Sequence, residues 1–135
     1  MPGFKSTYEC NNYLNARYNG TTFPTIATLY CALFTAMPTA GGGGTEVSGS
    51  GYARIAVTVN TTNFAISTAA LITNATVIDF GTPTGAGWGT LVGAGWYSAA
   101  SGGNLVSAGP FSPSRTGTPG LQFFIPIGGF VATEV

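Results

Sequence analysis

Apolar and polar positions change rhythm along this chain. Near the start, Cys10, Leu14 and Tyr18 recur every four residues with Tyr13 and Arg17 beside them, the spacing of one helix face. Ser6, Thr7, Tyr8 and Glu9 precede them with capping-box spacing, in which a serine hydroxyl and a glutamate each satisfy an orphan backbone N–H. Asn19-Gly20 supplies a left-handed stop, so the pattern predicts a helix over 7–18. A helix this short is marginal alone and is expected to be held by packing.

From Ala27 the period becomes two. Over 27–35, Leu29, Cys31 and Leu33 fall on one face and Tyr30, Ala32 and Phe34 on the other. Both faces are apolar, which predicts a strand covered on both sides, by a second sheet and a helix or by a neighbouring chain. Over 52–60, Ala53, Ile55, Val57 and Val59 alternate with Tyr52, Arg54, Ala56 and Thr58, the pattern of a half-buried strand. Further strands are expected at 69–72, 76–80, 89–98, 104–108, 121–125 and 130–133. The run SAASGGN at 98–104 carries hairpin chemistry, with Gly102 and Gly103 available where positive φ is required. Gly85, Gly87, Gly89, Gly93 and Gly95 imply bulges, bends or close backbone approach. The proline- and glycine-rich stretch 111–120 reads as an ordered loop or an arm. Seven to eight short strands behind one helix make 1–135 a single all-β domain, a small β-sandwich or barrel.

Composition adds a constraint on the surface. Only 6% of the 135 residues are charged, against about 25% in a typical soluble domain, and the net charge is 0. With Lys5, Arg17, Arg54 and Arg115 as its basic residues and Glu9, Glu46, Asp79 and Glu134 as its acidic ones, the skin is built mainly from Thr, Ser, Asn, Gly and Ala. Such a surface does not keep copies apart, which points to a working state that is an assembly. The four scattered cations offer nucleic acid no track. No run of 18 apolar residues and no signal-peptide h-region is present, so synthesis in the cytosol and no membrane partner are expected, with Cys10 and Cys31 as reduced, buried thiols.

Candidate chemistry is sparse. The absence of histidine removes Ser-His-Asp and Cys-His nucleophilic groups and the imidazole zinc sites, and two cysteines cannot build a four-thiolate site. Among the acids, Glu9 is accounted for by the helix cap, and Asp79 stands alone in an apolar run. The stretch GGTEVSGSGYAR at 43–54 lacks the lysine and following helix of a phosphate loop, and its glycines read as a turn bridged by Glu46 and Arg54. Trp88 and Trp96, roughly 26 Å apart on one extended strand, are too distant for a single sugar-stacking platform. The residues therefore predict no enzymatic activity, no metal and no cofactor.

Three stretches, TLYCALFTAMP at 28–38, GGTEVSGSGYAR at 43–54 and GWGTLVGAGWYSAASGGNLVSAG at 87–109, resemble in order a family of small tailed-bacteriophage virion proteins. That family carries a YVALFT strand, a GTEVSGGGYAR turn-strand and a D-A-A-T-G-G-N-L hairpin. Its members are often labelled tail or fibre proteins, and some resemble the cement proteins that decorate icosahedral heads. Ser98 stands where the family often has Asp, which argues against a metal or catalytic role for that hairpin. The resemblance implies a non-enzymatic virion protein on the capsid exterior, clamping adjacent capsomers of the major capsid protein and pairing with sister copies as a trimer or dimer; a tail, baseplate or fibre accessory role, with contact to the host surface, is the alternative. On that reading the N-terminal segment 1–4 with the helix and the 111–120 loop are the extensions that reach a neighbour, and Phe4, Tyr8, Trp88, Trp96 and Phe111 are the expected aromatic interface anchors.

Overall fold

The computed structural model describes residues 3–67 and 71–133. Met1, Pro2, Ala69, Ala70 and Glu134, on which parts of the sequence reading fall, lie outside them. In chain order the described residues form β1 (Phe4–Lys5), α1 (Thr7–Tyr18), β2 (Thr28–Ala36), β3 (Thr45–Glu46), β4 (Ile55–Thr58), β5 (Leu71–Thr73), β6 (Ile78–Gly81), β7 (Gly89–Tyr97), β8 (Leu105–Gly117), β9 (Phe123–Ile125) and β10 (Val131–Thr133). The fold is all-β with one N-terminal helix. The sequence shows no period for β1 and β3, because two residues are too few to alternate.

One large antiparallel sheet runs β1-β8-β7-β2, and β3 and β4 share the far edge of β2, opposite its two halves. Two antiparallel ribbons, β6 with β9 and β5 with β10, complete the strand pairing. The main core lies between the large sheet and these ribbons: Cys31 and Leu33 of β2 and Leu91, Ala94 and Trp96 of β7 meet Ile78, Phe80, Phe123, Ile125 and Phe130. The other face of β2 carries Ala32 and Phe34, both fully buried in a second cluster with Leu105 and Ala108, against which Phe4, Met37 and Tyr97 pack. Thus β2 is apolar on both faces because both are covered, and each large side chain so buried contributes about 1.5–3 kcal/mol.

The long β7–β8 pair is interrupted. Leu91 opposes Arg115 and Gly93 opposes Pro110, so Val92 faces the four residues 111–114. Side-chain parity shifts there, which lets Leu91, Ala94 and Trp96 enter the same core despite mixed odd and even spacing. The loop or arm expected over 111–120 is therefore a misreading: β8 continues through Gly117, and the chain turns only at 118–121. Pro110 and Pro113 are tolerated because β8 past Ala108 has no strand partner but β7 among the described residues, so its outward side needs no N–H donor. Gly95 is a close-approach site, since a Cβ there would stand 2.9 Å from Cε2 of Phe34 and 3.0 Å from the Ser107 carbonyl.

The helix forms where the sequence places it but packs differently. Oγ of Ser6 accepts the Glu9 N–H at 3.1 Å, and the Ser6 N–H donates to the Val106 carbonyl, which ties the helix start to β8. Asn19 donates to the Asn15 carbonyl, and Gly20 takes φ +70° at the stop. No residue of α1 is buried. Tyr8, Cys10, Asn12 and Ala16 are half-buried, whereas Leu14 and Tyr18 are exposed. A second backbone bond, from the Thr7 N–H to the Ala40 carbonyl, also holds the helix start, and the Leu14 and Tyr18 end of the Cys10–Leu14–Tyr18 ridge stands in solvent. Cys31 is buried, and both cysteines are free thiols.

Candidate functional site

The 43–54 stretch supplies the most organised polar cluster. Gly49, Ser50 and Gly51 all take positive φ, and the turn they form brings β3 and the start of β4 together. Arg54 reaches back across it: Nη2 donates to Oε1 of Glu46 at 2.7 Å and Nε to Oε2 at 2.8 Å, a bidentate pair. Nη1 of the same guanidinium donates to the carbonyls of Ala99 and Gly102, each at 2.8 Å, in the hairpin between β7 and β8. Gly102 and Gly103 there take φ +63° and +73°, and the Ser98 hydroxyl accepts the Asn104 N–H. The guanidinium also lies 3.8 Å from the ring centroid of Tyr97. The Arg54 side chain is 8% exposed and that of Glu46 24%, so the pair is only partly shielded from solvent and salt.

Tyr52 completes the clamp. Its hydroxyl donates to Oε2 of Glu46 at 2.8 Å and accepts the Leu33 N–H of β2 at 3.0 Å. Burial by itself would push the Glu46 carboxyl up, but hydrogen bonds from Arg54 and Tyr52 and the Arg54 charge outweigh it and hold that carboxyl below its ordinary value. Burial, with Glu46 alongside, pushes the Tyr52 phenol far up, and burial does the same to the Cys31 thiol. A carboxylate saturated by three donors, a phenol that keeps its proton and a buried thiol make a joint between three segments, not an acid–base pair.

The expected aromatic anchors are distributed as follows. Trp88 and Trp96 are 4% and 2% exposed and belong to the main core cluster. Trp88 stacks edge-on against Tyr52 and donates Nε1–H to the Ser50 carbonyl, whereas Trp96 packs between Phe64 and Phe130. Phe111 is half-buried against Phe123, with the Arg115 guanidinium over both rings. Phe4 packs on the second cluster, and Tyr8 is half-buried on α1. Asp79 accepts from the Gly81 N–H and from Nε2 of Gln122, which makes it a turn and ribbon clasp.

Sequence reasoning passed over Asn74. Its side chain is 2% exposed and fully engaged: Nδ2 donates to the carbonyls of Thr76 and Pro126, and Oδ1 accepts the Phe130 N–H, each at 2.9 Å. An Asn within an Asn- and Thr-rich run carries no signal of this, because two of its three partners, the Pro126 carbonyl and the Phe130 N–H, lie more than fifty residues away in sequence. No group of three potential metal-ligating side chains occurs among the described residues, and no described helix is long and apolar enough to cross a membrane.

A family model described as podophage GP4 fiber I protein gp80 matches residues 5–133. The chain belongs to this family. It is thus a bacteriophage structural protein, and the match spans every described strand after β1 begins, together with α1, the clamp and the hairpin. No curated protein matches the chain.

Proposed function

We propose that this protein is a non-enzymatic, fibre-associated component of a tailed-phage virion, a compact unit that joins other virion proteins by binding. The observation that carries this reading is the family match over 5–133, whose description is that of a fibre protein. The clamp supports it by making the body stiff without presenting reactive groups. The N-terminal strand and helix are the attachment element in this reading: α1 offers Leu14 and Tyr18 to solvent, with Phe4 and Tyr8 at its root.

The capsid-cement role remains the second reading, favoured by the nearly uncharged surface. In it, many weak contacts to the major capsid protein on the capsid exterior are multiplied over copies. Quantitative mass spectrometry of purified virions, with gold-labelled antibody to locate the protein, separates the two. A fibre role gives copies on the order of tens or fewer, at fibres. Hundreds of copies over the head give the cement role, and absence from virions overturns both.

A further inference from the structure

Few contacts join the N-terminal segment to the body. β1 pairs only with the outer edge of β8, Phe4 opposite Ala108 and Lys5 opposite Ser107, and the N–H groups of Ser6 and Thr7 donate to the carbonyls of Val106 and Ala40. Phe4 packs on the second cluster, and Gly3 lies so close to β8 that a Cβ on it would collide with the Ala108 carbonyl. The helix that follows buries no residue. The link to β2 is looser still: residues 17–25 are all exposed, and over 22–26 no backbone hydrogen bond ties the chain to the described residues. A small set of contacts ahead of an exposed, unbonded link marks the part of a fold that opens most easily.

We infer that segment 3–18 is an exchangeable arm, and that the edge of β8 at Ser107 and Ala108 is the docking site for the arm of a second copy of this chain. The inference rests on the reading of the N-terminal strand and helix as the attachment element and names its partner. What lies on the edge now defines the occupant: the two-residue ladder, the seat of Phe4 and the close approach of Gly3, which admits no side chain, fit this segment, and every copy presents both the segment and the seat. An arm that opens leaves the edge of β8 and the Val106 and Ala40 carbonyls uncovered, and a sister arm restores each of those contacts as an added edge strand does. An exchanged pair therefore keeps the contacts of two closed chains and differs from them in the entropy of the link over 19–27. Closure within one chain competes through an effective concentration on the order of millimolar for a short flexible link, a level that copies gathered in one assembly match.

Disulfide trapping in the full chain tests it. Lys5 and Ser107 are opposite residues of an antiparallel pair, within the reach of a disulfide. One chain carries Lys5→Cys and another Ser107→Cys, both with Cys10→Ser, so that a 5–107 bridge forms only between chains. The two are mixed at about millimolar concentration, warmed below the unfolding transition and oxidised. A species of two linked chains is expected on non-reducing electrophoresis, with the 5–107 bridge identified by peptide mass mapping. Pairing Lys5→Cys with Leu121→Cys, a position 64% exposed and away from the edge, should give a linked species several-fold less often. The double variant Lys5→Cys with Ser107→Cys in one chain, oxidised when dilute, should close on itself and retain the 13.7 kDa of one chain, which checks that the seat is formed. Linkage of 5 to 107 no more frequent than that of 5 to 121, or a double variant that bridges only within one chain at the higher concentration as well, overturns the exchange. If the protein is nevertheless found at the fibres of purified virions, the exchange alone fails and the structural role stands.

Discussion

Arg54 gathers more of the fold than any other single side chain: one guanidinium serves a carboxylate on β3, two hairpin carbonyls and the face of Tyr97. Replacing it with Met leaves the half-buried Glu46 carboxylate with the Tyr52 hydroxyl alone and two carbonyls without this donor, and we expect a loss of about 2–4 kcal/mol in urea denaturation. Lys at this position should recover little, because an ammonium cannot reproduce the fork. The Glu46 carboxyl is held below its ordinary value in the folded state, so its ionised form stabilises the fold above its unfolded pKa. That contribution is lost as pH falls through the ordinary carboxylate range and the lower folded value. The stability gap between wild type and Glu46→Gln should therefore be widest near neutrality and close on acidification, as read from urea midpoints across pH. Asn74→Ala strips partners from two carbonyls and from the Phe130 N–H, and an expected cost of about 1–3 kcal/mol is measurable the same way.

At the level of elements, α1 and the β7–β8 pair teach opposite lessons. The helix boundaries follow from local chemistry, a serine cap and an Asn-Gly stop, and were readable at 7–18. Its packing was not readable, because the helix start is held by backbone bonds from Ser6 to Val106 and from Thr7 to Ala40, far away in sequence, and Leu14 and Tyr18 of the four-residue ridge stand exposed. Leu14→Ala with Tyr18→Ala should accordingly change stability by no more than about 0.5 kcal/mol in thermal unfolding, whereas Ser6→Ala should cost about 1 kcal/mol through loss of the cap. In β7, Gly95→Ala places a methyl against Phe34 and a backbone carbonyl, and a loss of about 1–3 kcal/mol is expected. The proline-rich 111–117 segment looked like a loop because prolines are rare in paired strands. It is a strand because its outer side is an edge, a fact of topology that local composition does not carry.

For the molecule as a whole, the two-faced β2 explains why so small a chain holds two clusters of buried side chains. The ribbons cover one face, and the second face is closed by side chains of the sheet itself with Phe4 and Met37. Both tryptophans belong to that core, and the large hydrophobics exposed among the described residues are Tyr13, Leu14 and Tyr18 on α1 and aliphatic and phenylalanine side chains scattered over loops and ribbons, such as Phe23, Ile66, Leu121 and Ile127. Five aromatic residues were natural candidates for an interface from sequence, since Trp, Tyr and Phe dominate both cores and interfaces and nothing local distinguishes the two. Only burial separates them.

Alternation, turn residues and capping chemistry act over a few neighbours, and they determined the all-β class, the helix and the alternating strands; the missing histidines and the sparse charge likewise narrowed the chemistry toward a structural role. Which face of the helix meets water, where β8 ends, which carbonyls Arg54 and Asn74 serve and which aromatic rings are hidden were decided by contacts between segments far apart in the chain. Those contacts depend on strand order and register, and the energy differences that select them arise only once the sheets have closed over a common core.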